Sequence, residues 1–190
     1  MEVGDDRQRA RRRQTVTLAV RLAYTAARMK PTNITRTEYA QQASELERAV
    51  SEVPARLIAQ RPSESRWSVL EIVSHLADAE LLAAVRIRRI ITQDRPNFQG
   101  YKQEQWAMAL GYRQRRIETV LARFVLLRRE NAELLADPPE GGEIWNHTGV
   151  HDEYGTLSLR QLIEDYLSHT AKHLDQIRNV AADVANGNNG

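Results

Sequence analysis

The chain has 190 residues, 42% hydrophobic and 27% charged, with a formal net charge of +2 and no cysteine. That length supports one sizeable core and is short for two. The lack of cysteine excludes a disulfide framework and any protein thiolate nucleophile, and it fits a reducing, cytoplasmic setting, while no run approaches the ~20 apolar residues that cross a bilayer, so no membrane partner is expected.

The charge is unevenly placed. Residues 1–30 carry eight basic and three acidic side chains, among them Arg11, Arg12 and Arg13, which leaves the rest of the chain at −3. A mildly acidic body offers no obvious phosphate-binding surface, so nucleic acid is not an expected partner. Leu18 to Ala27 is interrupted by Arg21 and is followed by no convincing cleavage site, which argues against a secretory signal. Residues 1–34 are read as a basic, mobile extension with Met29 as an alternative start, 35–184 as the folded domain and 185–190 as a disordered tail.

Three helix starts share one grammar. Thr35-Arg-Thr-Glu38, Ser68-Val-Leu-Glu71 and Ser158-Leu-Arg-Gln161 are capping boxes, each preceded by an apolar residue (Ile34, Trp67, Leu157) with a staple partner five positions on. The first helix carries Ala43, Leu46, Val50 and Val53 on one face before Pro54, which kinks it or starts a short further turn. The second runs from about Val69 to Ile91 with Ile72, Val73, Leu76, Ala79, Leu82, Ala83 and Ile90 inward. The third, from about Tyr112 to Ala136, presents Ile117, Val120, Leu121, Phe124, Leu127 and Leu134 and stops at Asp137-Pro138-Pro139.

The fourth spans about Leu159 to Val184, inserts histidines into a stripe of Leu162, Tyr166, Ile177 and Val180, and ends at Asn186-Gly187. No strand pattern competes, so the expected fold is all-α, a four-helix bundle. Thr92 to Tyr101 reads as a moderate loop. Asp137 to Leu157, before the last helix, is long and holds Trp145, Asn146, His147, His151 and Tyr154, which marks it as ordered cover over a site.

His169 and His173 stand four residues apart on the last helix, a spacing that stacks both imidazoles on one face within reach of a single ion. Such a pair is weak evidence alone. His75 adds to it, because it lies mid-stripe on the second helix, and three neutral imidazoles in one core are costly without a shared partner. A divalent metal is such a partner, and three histidines leave one coordination position open for chemistry. Glu71, Asp78 and Asp165 have the spacing to support these histidines from behind. His147 and His151 form a second HxxxH, but Gly149 between them in a loop removes the basis for helical stacking.

Trp67-Ser68, His75-Leu-Ala-Asp78-Ala-Glu80, Tyr101-x4-Trp106, His151-Asp-Glu-Tyr-Gly155 and His169-x3-His173-x2-Gln176-Ile177 together resemble the DinB/YfiT-like superfamily over about Thr35 to Asp183. The resemblance implies a four-helix bundle holding zinc or nickel through His75, His169 and His173. It further implies a metal-dependent enzyme that activates a low-molecular-weight thiol (S-transferase type) or water (hydrolase type) against a small electrophile.

With no cysteine in the chain, any thiol must come from a cosubstrate. Tyr101, Trp106, Trp145 and His151 are the candidate pocket residues. A small-molecule substrate and a homodimer partner are expected. A non-catalytic metal-binding stress or interaction protein is the alternative, distinguished by whether the fourth coordination position is open or sealed.

Overall fold

The computed structural model describes residues 36–136 and 141–187. Five α-helices are formed there: α1 (Arg36–Ser51), α2 (Val69–Thr92), α3 (Gln103–Ala109), α4 (Ile117–Leu134) and α5 (Leu159–Ala185). The four long ones make an all-α bundle in which α1 and α2 each pack against both α4 and α5. The Ser68 and Ser158 capping boxes are formed, with each serine accepting the N–H of Glu71 or Gln161 and the Glu or Gln side chain reaching back. The Thr35 box, its Ile34 staple and the 1–34 extension lie outside the described residues, as do 188–190 of the expected tail. Ala185, placed in that tail by the sequence, is the last residue of α5.

After α1 the chain makes a short 3-10 turn at Ala55–Leu57, the further turn that Pro54 suggested. Four other features depart from the sequence expectation. Gln103–Ala109 forms a short helix with no fully buried residue, so no apolar stripe announced it. The third long helix begins at Ile117 and not at Tyr112, because Gly111 adopts φ 60 and Tyr112 turns fully inward in a separate 3-10 turn, leaving Arg115 and Arg116 extended.

Strands also form, where none was expected: β1 (Asn97–Phe98), β2 (Thr148–His151) and β3 (Gly155–Ser158). β1 pairs parallel to β2, and β2 pairs antiparallel to β3. Strands of two and four residues are too short to show alternation in sequence. Their pairing is held by tertiary contacts: Phe98 lies so close over Gly149 that a Cβ there would sit 2.2 Å from the ring. Arg89 donates to the Asn97 carbonyl at 3.0 Å.

The fourth departure is in the core. On α4, Val120 and Phe124 are buried as expected, with Val125 beside them, but the inward positions one and two turns on are Arg128 and Asn131, at 1% and 0% exposure. Apolar clusters around Leu46, Ile72, Phe124 and Ile177, and around Ile87, Ile90, Leu159 and Ile163, are separated along the helices by a polar layer. In that layer Arg128 pairs with Glu80 at 2.9 Å and donates to Thr170 at 2.8 Å and Gln42 at 3.1 Å, while Tyr39 and Asn131 also donate to Glu80. The carboxylate and guanidinium are thus buried together with most of their bonding capacity met.

Candidate metal centre

The packing of α2 against α5 brings His75, His169 and His173 together. His75 Nε2 lies 3.0 Å from His169 Nε2, which lies 3.1 Å from His173 Nε2. His75 is sealed, whereas His169 and His173 are half-buried, so the cluster is reached from the α5 side. Burial, with the neighbouring His173 adding to it, pushes the pKa of His75 down to about 4 and that of His169 to about 3. Burial also lowers His173, opposed by its bond to Gln176. All three rings are neutral at pH 7.

The protons can then be counted. Gln176 Oε1 can only accept, and it stands 2.7 Å from His173 Nδ1, so that nitrogen carries the hydrogen and Nε2 bears a lone pair. If His169 Nε2 donates to His173, it has no lone pair for His75; if it accepts from His75, it faces His173 with two lone pairs opposed at 3.1 Å. One of the two contacts is therefore unsatisfied by hydrogen bonding. A cation satisfies both, and nitrogens about 2.0–2.1 Å from a tetrahedral ion are about 3.3 Å apart, close to the spacing here. The cluster is a histidine site capable of metal coordination.

Around it, the Tyr101 hydroxyl lies 3.2 Å from His75 Nδ1, and the Trp67 ring packs 5.4 Å from the His75 ring. Trp106 stacks on Tyr101 with centroids 4.5 Å apart. Burial raises the pKa of Tyr101 well above the phenol range, so it keeps its proton. Tyr101 thus borders the histidines, with Trp106 packed against it.

Trp145 and His151 are placed elsewhere and make no hydrogen bond or ring contact with the three histidines among the described residues. Trp145 packs against the Ile144–Leu159 cluster under Arg160, and buried His151 stacks on Tyr154 beside Arg86.

The carboxylates expected behind the histidines are committed to other partners. Glu71 binds Arg61 and the N–H and hydroxyl of Ser68. Asp78 is clamped by Arg115 at 3.2 Å and by Arg123, and reaches His75 only through its field. Asp165 is half-buried on α5 and acts on Tyr154. Gln176 and Tyr101 are the side chains that meet the Nδ1 atoms of His173 and His75. The i,i+3 spacing of His173 and Gln176 was a readable signal for one of them; Tyr101 was named as a pocket residue, but its contact with His75 Nδ1 arises from a loop and follows no helical spacing.

A sequence profile described as the DinB superfamily matches residues 38–177. The chain belongs to this superfamily. This DinB chain is 31% identical over 112 residues to a protein of Oceanobacillus iheyensis named "Putative metal-dependent hydrolase", an alignment covering 58% of this chain and 63% of that protein's length. Among solved structures it is similar to YfiT from Bacillus subtilis, described as "a probable metal-dependent hydrolase with an unusual four-helix bundle topology". That match has a TM-score of 0.72 at 17% identity and covers 82% of this chain and 93% of the other, which establishes a shared fold. No helix among the described residues is long and apolar enough to cross a membrane.

Proposed function

We propose that this DinB protein is a metal-dependent enzyme acting on a small electrophilic molecule, with His75, His169 and His173 as the ligands of a divalent ion, zinc or nickel. The observation that carries the reading is the convergence of three Nε2 atoms at 3.0 and 3.1 Å with no hydrogen-bonding solution that satisfies them all. Bound there, the ion supplies Lewis acidity that lowers the pKa of water, or of a small thiol cosubstrate, toward neutrality.

The chain's own groups do the rest. Gln176 holds His173 in the tautomer that aims its Nε2 lone pair inward. Tyr101 accepts the Nδ1 proton of His75, which leaves its own hydroxyl proton free to hydrogen bond a substrate oxygen. Trp67 and sealed apolar neighbours keep water from the back of the site. Hydrolysis is the favoured reaction, supported by the names of both relatives.

The test is to purify the full chain without a chelating resin, measure bound metal by mass spectrometry, and assay an activated ester and an aryl halide with and without bacillithiol, mycothiol or glutathione. Metal-dependent ester cleavage that needs no thiol and disappears in His173→Ala is the expected result. Conjugation only with thiol would replace hydrolysis by transfer, and full activity in a metal-free protein would overturn the reading.

A further inference from the structure

Arginines packed into the bundle close onto carboxylates: Arg61 on Glu71, Arg115 and Arg123 on Asp78, and Arg128 on Glu80. Arg86, like Arg89 one turn on, does not follow this pattern. Arg86 is the one nearer His75 along α2. It is half-buried on α2, about three helical turns beyond His75 and hence on the same face. Its hydrogen bonds go to neutral acceptors, the Tyr166 hydroxyl at 3.1 Å and the Gln99 carbonyl at 2.6 Å, with His151 Nε2 at 3.5 Å. Asp152, on the adjoining hairpin, is otherwise engaged, accepting from the Gly100 N–H at 2.9 Å and lying 3.1 Å from His151 Nδ1.

The location of this charge matters. Tyr166 lies one turn before His169 on α5, and the field of Arg86 also reaches Tyr101, whose hydroxyl meets His75. The guanidinium is therefore held between Tyr166 of α5 and the loop after α2, on the face of α2 that also carries His75. An arginine has five N–H groups, and Tyr166 and Gln99 use two of them. Among the described residues Arg123 Nε and Arg128 Nε are sealed donors without a partner, but no nitrogen of Arg86 is. The remaining N–H groups would be the donors to a ligand.

We propose that Arg86 is an anion receptor for the histidine site, so that the substrate is a small molecule carrying a carboxylate set apart from its reacting group. A half-buried cation whose hydrogen bonds go to neutral acceptors gains from an anionic partner, and guanidinium and carboxylate match in shape as well as charge. Arg86 would orient the substrate while the reaction proceeds at the histidines. This rests on the histidine cluster being a reaction centre.

Benzoate and benzamide share a ring and differ in charge, so an NMR titration of the full chain with each reads the receptor directly. The zinc-loaded wild type should bind benzoate about tenfold tighter than benzamide. The preference should persist in the metal-free protein, disappear in Arg86→Gln and be partly kept in Arg86→Lys. Equal binding of the two probes by the wild type overturns the proposal, and that comparison needs no substitution. An undiminished preference in Arg86→Gln overturns it too, as does a preference that vanishes with the metal while Arg86→Gln retains it. Metal stoichiometry judges the reaction-centre reading separately: a wild type that binds no metal yet shows Arg86-dependent benzoate binding would reject that reading and leave the anion site standing.

Discussion

His173 Nδ1 and Gln176 Oε1 lie 2.7 Å apart on successive turns of α5, and this one bond decides which nitrogen of the imidazole carries the proton. Because the amide oxygen cannot donate, the ring is held with its lone pair toward His169 and His75. A helix-local contact thus prepares a site that is otherwise assembled across the bundle.

Gln176→Ala should weaken metal binding by about 10- to 100-fold while leaving helicity unchanged, since loss of the partner frees the ring to rotate and change tautomer. Competition against a chromogenic chelator, with circular dichroism as the control, measures both. Wild-type affinity in the variant would show that Gln176 has no part in preparing the ligand.

Acid should destabilise the metal-free protein through the histidines. Folded-state pKa values of about 4 for His75 and about 3 for His169 lie below the unfolded value near 6.5, so the unfolded chain binds more protons between them. Stability is then full above about pH 6.5 and declines as pH falls from there toward 4 and 3. Melting temperatures of wild type and a His75→Gln variant across pH 8 to 4 test this. A wild-type curve no steeper than the variant's would refute it.

Arg128→Met leaves the Glu80 carboxylate buried without its cation and should cost about 3–5 kcal/mol in urea unfolding. Joining it to Glu80→Gln should recover part of the loss, because the uncompensated charge is gone. Equal instability of the single and double variants would mean that packing against Tyr39 and Phe124, not charge, dominates at this position.

Gly149→Ala drives a methyl into the Phe98 ring, where it would sit 2.2 Å away, and should cost about 1–3 kcal/mol while sparing metal stoichiometry. Phe98→Leu in the same background should restore stability. If the double variant melts as low as the single one, backbone freedom at Gly149 and not ring contact governs the pairing.

The bundle was legible in the sequence because its long helices announce themselves locally. Capping at Ser68 and Ser158 satisfies N–H groups within four residues, and the stripes through Ile72 and Ile177 repeat every turn, so both depend only on neighbours along the chain. The three histidines were legible for the same reason, being placed on those stripes by number.

What lay beyond the sequence depends on partners distant along it. Arg128 is not among the inward positions read from the sequence and is buried because Glu80, 48 positions earlier, is brought beside it, and Glu71 reads as a support for His75 until Arg61 takes its carboxylate. The small sheet exists because Phe98 and Arg89 meet the loop before α5, and Tyr101 acts on His75 because that loop region folds back over α2. A side chain's periodicity states which face it occupies; which charge, ring or carbonyl it meets there is decided only when the helices pack.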